Sequence, residues 1–336
     1  MSMRILVTGG AGYIGSHMVA YLLREGHRVT VFDNLSTGHR DAVGEAEFVE
    51  GDLRNRSDVA RVVGGGRFDA VLHFAAAAYV GESVLDPAKY YANNVAGTLN
   101  LLDAMCTTGT LQLVFSSTCS TYGDPVQLPM TEVHPQQPVN PYGRTKLAAE
   151  RAMKDYGQAY GLRTVALRYF NAAGCDQEAA LGERHDPETH LIPLVLREAQ
   201  RVRAGGDPAA TNLQVFGDDF ATSDGTCVRD YVHVSDLCGA HLLAVARLAR
   251  GSGGGFEAFN LGIGRGYSVK EVIETCRRVS GQDIRYRIGG RREGDPAQLV
   301  ASALRARAEL GWSPTYVELG AIVETAWRWF SSEARC

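Results

Sequence analysis

Apolar and polar positions follow two rhythms along the first half of the chain. Short runs rich in Val, Ile, Leu and Phe predict strands at Arg4 to Thr8, Arg28 to Phe32, Glu47 to Glu50, Ala70 to His73, Gln112 to Ser116 and Thr164 to Arg168. Between most of them the apolar residues recur at helical spacing, notably over Ile14 to Arg24, Lys89 to Cys106 and Tyr142 to Tyr160. Strands this apolar, alternating with helices, call for a parallel sheet covered on both faces. The expected fold class is α/β, a doubly wound parallel sheet.

Beyond about Asn171 the rhythm loosens. The stretches "GCDQEAALGERHDPETH" and "RAGGDPAATN" read as Gly- and Pro-punctuated loops, and "GSGGG" at 251 to 255 reads as a flexible connection. Short elements follow, ending in an amphipathic helix near Glu318 to Phe330. The expected division is a nucleotide-binding domain over 1–175 and a smaller α/β substrate-binding domain over 176–336, with segments returning to the first.

Composition narrows the partners more than the fold. The 336 residues are 45% apolar, enough for a sizeable core, and the net charge of −4 offers no general attraction to nucleic acid or an anionic membrane surface. No run approaches the roughly 20 apolar residues of a membrane span, and "MSMRILVTGG" is too short in apolar residues for a secretory signal. Seven scattered Cys include no C-x-x-C, and nine His show no metal-ligand spacing, so no disulfide framework and no metal are expected. A reduced, cytoplasmic compartment follows. The partners expected are small molecules and other copies of the chain.

The first strand runs directly into "VTGGAGYIGSH", where Gly10, Gly12 and Gly15 form G-x-G-x-x-G at the opening of a helix. Glycines there permit a tight turn, close approach of backbone to a pyrophosphate and close helix–strand packing, while the helix N-terminus offers N–H groups to the phosphates. Gly9, Tyr13 and Ile14 belong to the same turn. The second strand leads to Asp33, 18 residues beyond Gly15, where a carboxylate can accept from an adenosine ribose. Asp33 would repel a 2′-phosphate, which favours NAD over NADP. Asp52 in "EGDLR", after the third strand, is placed to reach the adenine or to be a plain turn residue.

A second group lies further on. Thr118 follows the fifth strand, at the edge where open α/β sheets bind ligands. Asn140 is a good N-cap and Pro141 suits a first helical position, so a helix starts here and sets Tyr142 and Lys146 one turn apart on one face. Only four of the 34 basic residues are Lys, so the choice of Lys at 146 stands out. A free phenol ionises near pH ~10, and bringing that to neutrality takes about 4 kcal/mol. A cation ~4 Å away at an effective dielectric of ~20 is worth roughly that much. Lys146 with a positive nicotinamide could therefore make Tyr142 a general base for a sugar or alcohol hydroxyl while hydride leaves the same carbon.

These residues together carry a resemblance. The glycine pattern, "DNLSTGH", and a Thr with Y-x-x-x-K resemble the extended short-chain dehydrogenase/reductase superfamily, with its Rossmann domain. The blocks "HFAAAAYVGESV", "YYANNVAGTLNLL", "SSTCSTYG", "LRYFNAAG", "DGTCVRDYVHVSDL", "FNLGIGRGYSV" and "RREGDPA" are similar to UDP-galactose 4-epimerases from about residue 3 to 330. The resemblance implies Tyr142 as base, Lys146 as its electrostatic partner and cofactor ligand, and Thr118 on the sugar 4-oxygen. It implies further NAD contacts at Asn34, Leu53, Phe74, Ala75, Asn94, Ser116 and Tyr169. On the UDP-sugar side it implies Asn171, His190, Leu191, Gln214, Val215, Phe216, Arg229, Arg292, Asp295 and Leu299. Arg229 and Arg292 suit a diphosphate on charge alone. A homodimer through the helices of Lys89 to Cys106 and Tyr142 to Tyr160 is also implied.

Two positions depart from the family pattern. Ala78 stands where some members have a cofactor-binding Lys. Leu299 stands where a bulky Tyr excludes N-acetylated sugars and a small residue admits them, so UDP-N-acetylhexosamine 4-epimerisation stays open as the alternative to UDP-galactose and UDP-glucose. Sister dehydratases and decarboxylases need carboxylic residues after the Thr, where this chain has Cys119 and Ser120. A net NAD-dependent sugar-nucleotide dehydrogenase, and a non-catalytic NAD-sensing module that would not need Tyr142 and Lys146, are the remaining readings.

Overall fold

The computed structural model describes residues 2–176, 181–251, 255–292 and 294–332. Six strands lead the chain: β1 (Arg4–Thr8), β2 (Arg28–Asp33), β3 (Glu47–Glu50), β4 (Ala70–His73), β5 (Gln112–Thr118) and β6 (Arg163–Tyr169). Then come β7 (Asn171–Ala173), β8 (Gln214–Phe216), β9 (Val228–His233), β10 (Phe256–Leu261), β11 (Gly266–Ser268), β12 (Arg287–Gly289) and β13 (Gln298–Leu299). The helices are α1 (Tyr13–Arg24), α2 (Arg56–Gly66), α3 (Val80–Leu85), α4 (Pro87–Tyr90), α5 (Gly97–Thr108) and α6 (Pro141–Tyr160). They are followed by α7 (Leu191–Arg203), α8 (Val234–Ala249), α9 (Val269–Ser280) and α10 (Leu319–Phe330).

Seven strands form one sheet in the order β10-β6-β5-β4-β1-β2-β3, all neighbours parallel. Alternation along β1 explains the two layers. Ile5 and Val7 enter one core with Met18 and Val19 of α1 and Leu237 of α8; Leu6 enters the other with Val59, Leu101 and Met153 of α2, α5 and α6. Strand order reverses between β1 and β4, which opens a crevice at their carboxyl ends. The sixth expected strand has β10 as its outer neighbour, so residues from beyond position 250 complete this sheet.

A separate core gathers Ile192, Leu196, Ile273, Cys276, Ile322 and Val323 of α7, α9 and α10. Around it lie only short strands: β11-β9-β13 with β7 beside β9, and the pair β8-β12.

Two local expectations needed adjustment. The helix expected over Lys89 to Cys106 is α4, a π-helical turn at Tyr91–Ala96, and α5. The widened turn carries Asn94, whose amide clamps both backbone groups of Ala77. The fifth strand continues past Ser116 to Thr118 because it stays paired with β6 as far as Tyr169. Of "GSGGG", residues 252–254 lie outside the described ones.

Candidate active site

Strand β1 ends in the glycine turn, and each glycine there has its own reason. Gly9 has φ +74°, and a Cβ on it would stand 2.4 Å from the Ala75 nitrogen. At Gly15 a Cβ would come within 2.0 Å of the Gly9 carbonyl oxygen, so α1 can pack here only without a side chain. Gly12 differs: the nearest atom to its Cβ would be 3.5 Å away, so the chain itself does not demand a glycine. It is the N-cap of α1, with no side-chain cap and no acidic residue in the first turn. Bare N–H groups and room for backbone approach are what a pyrophosphate requires. Tyr13 ties this turn to the distant β7 end by donating to Gly174 O at 2.5 Å, and Ile14 is half-buried beside it.

Asp33 closes the turn from β2. Its Oδ2 accepts from Ala11 N at 3.0 Å and its Oδ1 from Leu35 N at 2.8 Å, and burial pushes its carboxyl above the ordinary range. Asn34 donates to Asp52 at 3.0 Å. Arg54, bound through both oxygens of Asp52, holds that carboxyl well below the usual range. Leu53 is a core residue, while its carbonyl accepts from Asn100. Phe74 and Ala75 cross the end of β1 through N–H bonds to Thr8 O, half-buried at the crevice.

The opposite wall is β5 and α6. Asn140 caps α6 by accepting from Gly143 N at 2.8 Å. A Cβ at Gly143 would lie 2.3 Å from Ser120 O, so this helix-weakening residue is what lets α6 approach the loop after Thr118. Lys146, 3% exposed, donates to Ser116 O at 2.8 Å and lies over the Phe115 ring. Tyr142 is half-buried with the Thr118 hydroxyl at its phenol. Tyr169 and the Ser116 hydroxyl are hydrogen-bonded to each other. Asn94 is buried, tying Ala77 to Thr145 at 3.1 Å, so it braces the neighbour of Lys146 with its own polar groups already engaged.

The electrostatics of the protein groups alone are led by burial. Burial pushes the Tyr142 phenol well up, Tyr169 adds to this, and the Thr118 hydroxyl works against it. Burial drives the Lys146 ammonium down to about 7, with Glu150 opposing. The hydrogen bond of Lys146 goes to backbone, and Lys146 is not among the groups that lower the phenol. Without the cofactor, burial is the leading influence on the Tyr142 phenol and favours its protonated form.

Behind the trio lies a network that motif reading passed over. Glu150, one turn past Lys146, accepts from Ser117 Oγ at 2.5 Å and pairs with Arg168 of β6 at 2.6 Å. Arg168 also donates to Tyr122, whose hydroxyl donates to Asn260 at 2.6 Å. Positions 142, 146 and 150 are i, i+4 and i+8 on one face, which is the signal by which Glu150 could have been found.

The substrate-side residues come together less tightly. Register sets Leu299 opposite Arg229, and Leu299 packs against the small cluster of Cys119, Tyr122, Met130, Phe170 and Ala301. Arg229 donates to Pro296 O at 2.8 Å and faces Asp295 at 3.7 Å. Arg292 lies over the Phe216 ring at 4.0 Å. Asn171 donates to Asp230 O at 3.1 Å, one residue from Arg229. Along β8, Gln214 is exposed and Phe216 half-buried, while Val215, expected on the UDP-sugar side, is 2% exposed with its side chain in the α7–α9 core. Leu191 opens α7, and His190 before it turns Nδ1 onto Glu183 and Glu188. Although His spacing suggested no metal cluster, the fold gathers Glu183, His185, Glu188 and His190 within 4.8 Å.

Comparison with known proteins places this arrangement. Residues 5–262 match the model of the NAD dependent epimerase/dehydratase family. The UDP-glucose 4-epimerase of Halalkalibacterium halodurans is 50% identical over 329 residues, covering 97% of this chain and 95% of its own. A UDP-glucose 4-epimerase from Brucella ovis, solved in complex with NAD, superposes with a TM-score of 0.91 at 49% identity over 98% of both chains. One from Bifidobacterium longum, solved with NAD+ and UDP, gives 0.90 at 36% identity over 97% of both. The glycine turn, the Tyr142–Lys146 helix face and these full-length similarities together establish that the chain belongs to the NAD dependent epimerase/dehydratase family.

Proposed function

We propose that the protein is an isomerase, an NAD-dependent UDP-glucose 4-epimerase that interconverts UDP-galactose and UDP-glucose. The observation that carries this reading is Tyr142 and Thr118 side by side at the carboxyl edge of the sheet, with buried Lys146 one turn behind and a bare helix N-terminus across the crevice. NAD fits that crevice, since Gly12 leaves room for a pyrophosphate and Asp33 presents carboxylate oxygens beyond it.

When bound, NAD takes a hydride from sugar C4 and later returns it. With the positive nicotinamide of bound NAD beside Lys146 favouring the phenolate, Tyr142 would accept the O4 proton, and Thr118 would hold that oxygen through its hydroxyl. Lys146 binds the nicotinamide-side ribose and adds positive charge, and burial of Tyr142 makes its phenolate a strong acceptor for the O4 proton, which passes back to the more basic alkoxide formed at O4 when hydride returns to the other face of the 4-keto sugar. Arg229, Arg292 and Asp295 anchor the UDP so that the hexose alone turns. The non-acidic Cys119 and Ser120 after Thr118 leave no carboxyl to catalyse elimination.

A homodimer is part of the same reading. Apolar side chains of Val84, Leu85 and Tyr91, which are 61%, 88% and 45% exposed, lie around the α5–α6 face and support association there. No helix among the described residues is long and apolar enough to cross a membrane, and a cytoplasmic location is proposed with it. Incubation of purified protein with UDP-galactose and no added cofactor should yield UDP-glucose without net NADH. Stoichiometric NADH release would make it a dehydrogenase.

A further inference from the structure

Residues 183–190 lie against the glycine turn but take no part in the chemistry above. Glu183 and Glu188 are both carboxylates with side chains 5% and 0% exposed, an arrangement that needs positive charge between them. Both histidines answer with the same atom. His190 Nδ1 stands 2.7 Å from Glu183 Oε1 and 3.2 Å from Glu188 Oε1; His185 Nδ1 stands 3.1 and 3.7 Å from the same two oxygens. His185 Nδ1 is buried and makes no hydrogen bond despite this proximity, and Glu188 Oε2 is likewise buried without one, its nearest cation being Arg197 at 3.9 Å. His190 Nδ1 is hydrogen-bonded to Glu188 Oε1, which also accepts from the backbone N–H groups of Thr189 and His190, and the two imidazole nitrogens and two carboxylate oxygens all lie within 4.8 Å of one another.

We propose that Glu183, His185, Glu188 and His190 form a structural site for a divalent transition metal of the zinc type. Tetrahedral Zn²⁺ with N and O ligands at about 2.0–2.1 Å sets those ligands about 3.3 Å apart, and the four N–O separations here bracket that value. Imidazole in half the donor set selects such an ion over Mg²⁺ or Ca²⁺, which take oxygen. Four protein donors fill the coordination, which makes the site structural rather than catalytic. Its consequence is mechanical. His185 packs edge-on to Tyr13, the next residue Arg184 pairs with Asp41 at 2.7 Å, and Arg184 O is hydrogen-bonded to His39. His190 is the N-cap of α7. A metal would pin this strap at once to the cofactor turn and to the substrate-side core.

The test is independent of catalysis. Full-length protein stripped with chelator and titrated with Co²⁺ should develop the visible absorption of a four-coordinate ion at one equivalent per chain, without thiolate charge transfer, and Zn²⁺ should bleach it. Zn²⁺ should also raise the melting temperature of the wild type. His185→Gln and Glu188→Gln, each near-isosteric, should lose both responses. If the wild type takes up no stoichiometric metal, or if the Co²⁺ spectrum shows thiolate ligation or survives in His185→Gln, the four residues are a carboxylate–imidazole ion cluster and the proposal fails. The wild-type titration decides this even if a variant does not fold.

Discussion

The two walls of the crevice are built on different principles. On the chemical wall, β5 is paired along its whole length to β6, and Thr118, Tyr142 and Lys146 are fixed by backbone pairing, a capped helix and a buried ion network. On the wall proposed for the nucleotide sugar, Arg229, Phe216, Arg292, Asp295 and Leu299 sit on strands of two to six residues and on loops, held by a long ion pair, a ring contact and a bond from Arg229 to the Pro296 carbonyl. The difference matches the task. Proton and hydride transfer tolerate little displacement of the reacting groups, whereas a sugar that must turn over needs an anchored diphosphate and a loosely bounded space. Rigidity is concentrated where bonds change.

The strongest way to break that contrast is at the chemical wall. Tyr142→Phe should lower kcat by about 10²- to 10⁴-fold while leaving the Kd for UDP nearly unchanged, measured by turnover and by calorimetry with UDP. A wild-type rate would remove the phenol from the mechanism. Next in size, Glu150→Leu leaves the Arg168 guanidinium, 5% exposed, without its partner. That should cost about 3–5 kcal/mol in urea unfolding, and Glu150→Leu/Arg168→Leu should recover much of it. Equal stability of the single and double variants would show that the pair does not brace the wall.

The softer wall should answer with smaller, binding-type effects. Arg292→Ala removes an exposed guanidinium that stacks on Phe216. The KM for UDP-galactose should rise roughly 10- to 100-fold, in keeping with about 1.5–3 kcal/mol for charged hydrogen bonds, with kcat little changed. A fall in kcat at constant KM would move Arg292 to the chemical wall. Smallest is the sugar boundary. Leu299 packs against the cluster that includes Cys119, so the wild type should act on UDP-N-acetylgalactosamine more weakly than on UDP-galactose, and Leu299→Tyr should abolish only the N-acetyl activity. An unchanged ratio of kcat/KM for the two substrates would show that residue 299 does not face the hexose.

Much of the sheet and its catalytic edge was legible in the chain itself. Six strands appear within two residues of their expected ends, because buried parallel strands are continuous apolar runs that local pattern alone identifies. The placement of Gly12, Gly15, Asp33, Tyr142 and Lys146 was legible for a related reason: each is set by a local element, a turn, a strand end or one helix face. What lay beyond local reading came from contacts between distant segments. Arg168 meets Glu150 across 18 residues, Tyr122 meets Asn260 across 138, and β10 joins a sheet begun some 250 residues earlier; Val215 turned into a core that the sequence around it does not announce. The sign of the Tyr142 shift belongs here too. Sequence placed a cation one turn away, but only the packed structure set the desolvation that raises the phenol. The four ligand-type residues at 183–190 are close in the chain, yet irregular loop spacing has no period to read. Their convergence was decided by the path the loop takes between the cofactor turn and α7.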